Sequence, residues 1–91
     1  MPDIKRKITV KNPQGLHARP AAMFVRIVSK YNSNVSVSKD GLKVNGRSIM
    51  GILTLGAQKD SEIEIEVNGE DAEQVIQELE QLLSKEEDIN E

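Results

Sequence analysis

A chain of 91 residues with 37% hydrophobic and 30% charged side chains has the make-up of one globular domain with a radius of gyration of about 12 Å. Its 15 acidic and 12 basic side chains leave a net charge of −3, and one Phe, one Tyr and no Trp offer little on which bases stack, so nucleic-acid binding is excluded as a main role. The absence of cysteine removes disulfides, a thiol nucleophile and Cys-based zinc from consideration.

The amino-terminal run Met1-Pro2-Asp3-Ile4-Lys5-Arg6-Lys7 leads into no apolar signal core, and no stretch approaches the ~20 apolar residues of a membrane span. A cytoplasmic location without membrane insertion is expected. Ile4, Arg6, Ile8 and Val10 alternate with Lys5, Lys7, Thr9 and Lys11, the period of a strand with one wet face. Asn12-Pro13-Gln14-Gly15 carries turn residues, and from about 18 to 31 Ala21, Phe24, Val25 and Val28 recur at helical spacing. Val35 and Val37, then Asp40-Gly41, then Leu42 and Val44 predict a hairpin. The apolar run Ile49-Met50-Gly51-Ile52-Leu53-Thr54-Leu55, bracketed by Gly46 and Gly56, reads as a brief helix with Ser48 placed to cap its start.

Ile63, Ile65 and Val67 alternate with Glu62, Glu64 and Glu66, a strand with an acidic solvated face. Asp71 and Gln74 resemble a capping pair, after which Ala72, Val75, Ile76, Leu79, Leu82 and Leu83 follow the spacing of an amphipathic helix. The acidic tail over 86–91 is expected to fray. The order βαββαβα fits an α+β domain over 1–91: a four-stranded, mostly antiparallel sheet with helices on one face.

The sole histidine, His17, lies in Gly15-Leu16-His17-Ala18-Arg19-Pro20-Ala21-Ala22, where a turn delivers an imidazole to the first turn of a helix. Helix starts leave N–H groups unpaired and favour negative charge, so such a terminus can hold a phosphate. Pro20 suits a helix beginning, where its missing N–H would have been an orphan. Arg19 adds a permanent cation with several donors, fit to neutralise a phosphoryl group. In the short helix one side packs, which assigns Ile52 and Leu55 to the interior and leaves Met50 and Leu53 as a modest patch, with methionine able to adapt to several partners.

Gly15-Leu16-His17-Ala18-Arg19-Pro20-Ala21 and Arg47-Ser48-Ile49-Met50-Gly51-Ile52-Leu53-Thr54-Leu55-Gly56 resemble the two signatures of the HPr phosphocarrier family of the bacterial phosphoenolpyruvate-dependent sugar phosphotransferase system, at the family's spacing. The resemblance covers nearly the whole chain and implies an open-faced β-sandwich. It also implies a phosphoryl carrier rather than an enzyme: His17 takes a phosphoryl group on Nδ1 from phosphorylated Enzyme I and gives it to an Enzyme IIA domain, with Arg19 as counter-ion. Ser48 corresponds to a regulatory site for an HPr kinase/phosphorylase. Ala22, Ile49, Met50 and Leu53 fall where the family docks its partners. No cofactor or metal is implied, and a monomer is expected. Two other roles use the same residues: a mainly regulatory, nitrogen-type carrier, and a Ser48-phosphorylated effector of a transcription regulator.

Overall fold

The alternating apolar positions do close into one sheet. The structure, a computed structural model, describes residues 3–87. Its elements are β1 (Asp3–Thr9), α1 (Ala18–Ser29), β2 (Asn34–Lys39), β3 (Leu42–Asn45), α2 (Ile49–Thr54), β4 (Glu62–Asn68) and α3 (Ala72–Leu83). The strand order is β1-β4-β2-β3 and all three pairings are antiparallel, so the sheet is wholly rather than mostly antiparallel. A period of two puts Ile63, Ile65 and Val67 of β4 on the helix-covered face, each at most 1% exposed, beside Ile8, Val35 and Val37. The other face carries Lys5 opposite Glu66 and Lys7 opposite Glu64, cross-strand pairs of opposite sign that suit a solvated surface. Arg6, half-buried on the inner side of β1, reaches Glu80 of α3 at 2.9 Å.

The hairpin between β2 and β3 turns on Asp40 and Gly41, with φ of 50° and 86°, the pair of left-handed residues that a tight two-residue turn demands. In α1, Pro20, Ala21, Phe24 and Val28 are buried, while Val25 is half-buried at the margin. The helix stops at Ser29, short of the expected 31, because the N–H groups of Lys30 and Tyr31 bond only three residues back, to Ile27 and Val28 carbonyls at 3.1 Å. Every apolar position expected of α3 is buried. Helix α3 packs on β1 and β4, α1 packs on α2 and α3, and α2 packs on β3.

The expected capping pair at α3 is corrected. Asp71 does stand at the N-cap, but its side chain makes no bond to its own helix. Its carboxylate instead accepts from the Asn32 N–H at 3.0 Å and from the Ser33 hydroxyl, tying α3 to the connection after α1. Those donors, Ser33 first, hold the Asp71 carboxyl below the usual range. A second tie lies two turns along, where Glu78 accepts from Lys30 Nζ at 2.6 Å and from the Tyr31 hydroxyl. Lys30, then Tyr31, lower the Glu78 carboxyl in the same way.

Glu86 and Glu87 follow α3 as exposed irregular chain, and the rest of the expected frayed tail, 88–91, lies outside the described residues. The radius of gyration is 11.7 Å, as the length predicts. Among the described residues no helix is long and apolar enough to cross a membrane.

Candidate functional site

The segment leading to His17 is fastened along its length. The Val10 N–H bonds to the Ser61 carbonyl at 2.9 Å and the Val10 carbonyl accepts from the Asp60 N–H at 2.7 Å. The Lys11 N–H reaches the Leu83 carbonyl at 2.8 Å, the Gly15 N–H turns back onto the Asn12 carbonyl at 3.0 Å, and the Leu16 N–H bonds to the Ala57 carbonyl at 2.8 Å. The side-chain amide of Asn12 adds bonds to the Leu82 and Lys85 carbonyls at 2.9 and 3.3 Å. Gly15 has φ of +72°, and a Cβ there would stand 2.8 Å from Gln58 Cα, so both its conformation and its clearance demand glycine. Leu16 is buried at 3% exposure, and anchors the last residue before the histidine.

His17 is the N-cap of α1, with φ −88° and ψ −163°. Its side chain makes no cap hydrogen bond, and the first turn contains no acidic residue. The imidazole is therefore exposed at a helix start whose positive end neither a capping oxygen nor a carboxylate of its own first turn offsets. Ala18 and Arg19 are the first two helical residues and Pro20 the third; Pro20 is buried and holds the turn against the core, while Arg19 is exposed within the same turn as the imidazole. His17 at the N-cap and Arg19 as the second helical residue thus stand at the helix start where the sequence puts them.

Ser48 stands at the N-cap of α2 and its Oγ accepts the Gly51 N–H at 3.0 Å, which is the capping role the sequence predicts. Gly51 lets α2 lie close to β3, since a Cβ there would stand 3.1 Å from Val44 Cβ. Ile52 and Leu55 are buried at 0% and 6%, whereas Met50 at 73%, Ile49 at 42% and Leu53 at 37% face outward. Leu42 is a fourth exposed large apolar side chain, and sequence alternation alone assigns it to the hairpin. Ala22 is half-buried on α1, and the packing of α1 on α2 sets the histidine helix beside the serine helix.

Two residues matter here that the sequence marks only as turn or motif members. Arg47, next to Ser48, donates to the Tyr31 and Ser33 carbonyls at 2.8 and 3.0 Å and so braces the connection between α1 and β2. Asn12 is 1% exposed. The only local signal for Asn12 is a polar residue beside Pro13, which a turn explains equally well.

A sequence profile described as "PTS HPr component phosphorylation site" matches residues 4–85. The phosphocarrier protein HPr of Xylella fastidiosa is 39% identical over 79 residues, spanning 87% of this chain and 89% of the relative. The HPr-like protein Crh of Bacillus subtilis is 38% identical over 76 residues, 84% of this chain and 89% of Crh; a crystal structure of Crh, with a TM-score of 0.73 over 96% of this chain and 99% of that one at 34% identity, is described as a swapped dimer. The crystal structure of an HPr from Thermoanaerobacter tengcongensis superposes with a TM-score of 0.86 at 42% identity, covering 91% of this chain and 93% of that one. With fold, motif geometry and sequence profile in agreement, the chain belongs to the HPr family of phosphocarrier proteins of the phosphotransferase system, which carry a phosphoryl group rather than catalyse its transfer.

Proposed function

We propose that His17 accepts a phosphoryl group from phosphorylated Enzyme I and passes it to an Enzyme IIA domain, serving sugar uptake. The observation that carries this reading is the exposed imidazole at a helix start with no side-chain cap and no acidic residue in its first turn, with Arg19 in the same turn. In the step, a lone pair of the neutral imidazole Nδ1 forms the N–P bond as the bond from phosphorus to Enzyme I breaks, and the electron pair leaves with Enzyme I. Such transfers pass through a loose transition state, so alignment and charge stabilisation do most of the work. The N–H groups of the first turn and the Arg19 guanidinium supply the charge; the partner supplies the opposite wall. Met50, Ile49 and Leu53, with Ala22, form the docking surface. His17, Arg19 and the first-turn N–H groups all belong to one chain, so the acceptor side of the site needs no second copy, and the protein acts as a monomer in the cytoplasm.

Ser48 is the regulatory position. Its phosphorylation by an HPr kinase/phosphorylase adds about −1.5 to −2 charges at the start of α2, where N–H groups tolerate an anion, but beside the apolar docking patch, where an anion repels an acidic partner and is costly to desolvate. Similarity to Crh, described as a catabolite repression protein, favours a second role in which the Ser48-phosphorylated form binds a transcription regulator.

Incubation with phosphoenolpyruvate and Enzyme I tests the main reading. The expected product carries one acid-labile phosphate per chain, which His17→Ala abolishes and Ser48→Asp forms more slowly. An acid-stable ester alone, or a phosphate that survives in His17→Ala, contradicts it.

A further inference from the structure

Asn12 is a buried amide whose two ends are treated unequally. Its Nδ2 donates to the Leu82 carbonyl at 2.9 Å and the Lys85 carbonyl at 3.3 Å, which belong to the last turn of α3 and the residue after its C-cap. Its Oδ1 is buried and accepts no hydrogen bond from the described residues. A buried acceptor without a donor weakens a fold, and an apolar residue of similar size would avoid that loss. The carboxamide does what no apolar side chain can: it satisfies carbonyls that a helix end leaves unpaired, and in doing so pins the loop to α3.

The same residue also shapes the turn. Its backbone carbonyl receives the Gly15 N–H at 3.0 Å, which sets the left-handed Gly15, and through Leu16, bonded to Ala57, the position of His17 at the helix start. Lys11 repeats the attachment through its N–H to the Leu83 carbonyl at 2.8 Å. Nothing in α2 takes part in this chain of contacts. The fastening of the turn is thus separate from the α2 part of the docking surface, Ile49, Met50 and Leu53, and only Ala22 shares α1 with the histidine.

From this we infer that Asn12 is a positioning residue for phosphoryl transfer at His17: its amide fastens the 12–16 turn to the C-terminal end of α3 and thereby fixes the imidazole against the incoming phosphorus. The inference rests on His17 being the acceptor. It requires that loss of the amide donors slow the transfer step itself while leaving the affinity for Enzyme I as it was.

Asn12→Asp keeps the shape, removes both donors and turns an oxygen toward two carbonyls. Asn12→Ser is smaller and keeps one donor, so it serves if the aspartate variant does not fold. Single-turnover transfer from phosphorylated Enzyme I, normalised to folded protein, is expected to slow by about tenfold or more in Asn12→Asp and by less in Asn12→Ser, with the KM for Enzyme I within about twofold of the wild type. Hydrogen exchange at the Leu16 amide is expected to quicken in the same order. A purely structural role lowers the melting temperature but leaves the rate per folded molecule unchanged, and that result overturns the inference. So does a rise in KM at unchanged rate, which would place Asn12 in docking. Wild-type protein that takes up no acid-labile phosphate overturns the functional reading as well, whereas a competent wild type with unslowed variants overturns this inference alone.

Discussion

Gly15 shows how much one residue constrains the site. With φ of +72° and Gln58 Cα 2.8 Å from where a Cβ would fall, Gly15→Ala meets both backbone strain and a clash, and is expected to lose ~1–3 kcal/mol of stability, read from the denaturant midpoint. A change under a few tenths would contradict the clearance argument. Most of what matters at this scale was legible in the sequence, because the relevant chemistry is local: Gly15, His17, Arg19 and Pro20 fall within six residues, and Ser48 caps a helix that starts at the next residue. Asn12 and Arg47 were not legible as positioning groups. Their acceptors lie 70 and 73 residues away for Asn12 and 14 and 16 for Arg47, so only the folded chain brings donor and acceptor together. Leu42 is similar, since alternation says that a strand has two faces but not that the inner face of an edge strand runs past the end of its cover.

Periodicity made the elements readable, and the misses lie at their ends. The buried stripe of α3, Ala72 to Leu83, and the alternation of β4 need no tertiary information. The end of α1 and the role of Asp71 do. Asp71 stands where an N-cap belongs, yet the Ser33 hydroxyl and Asn32 N–H offered by a loop 38 and 39 residues earlier take its carboxylate. That tie has a pH signature. Because the folded Asp71 carboxyl lies below its ordinary value, the unfolded chain binds its proton first on acidification; the stabilising contribution is full above roughly pH 5 and is lost as pH falls below roughly 4, through the folded value. The stability difference between wild type and Asp71→Asn should therefore be steady near neutrality and shrink in acid, as measured by melting temperature against pH. A difference that grows in acid would refute the assignment.

For the molecule as a whole, two layers share one core, and the segment leading to His17 is attached to it at two places: to α3 through Lys11 and Asn12, and to the 57–61 segment through Val10 and Leu16. The order βαββαβα was legible because each element carries its own period, but the placing of β4 between β1 and β2 is a long-range choice that no local pattern encodes. Leu79, wholly buried where α3 meets the core, tests the shared core: Leu79→Ala is expected to cost about 2–5 kcal/mol in global unfolding, with loss of the sheet and the helices in one transition by circular dichroism and amide exchange. Loss of α3 alone would show two independent units. The central claim, that the open helix start at His17 receives the phosphoryl group, is most directly tested by NMR of the protein labelled with nitrogen-15 and phosphorylated through Enzyme I. The expected result is a phosphorus coupled to a ring nitrogen of His17, with the Ala18 and Arg19 amides shifted strongly and the Gly51 amide near Ser48 hardly moved. A phosphorus resonance with no coupling to that ring, or first-turn amides that stay in place, would contradict it.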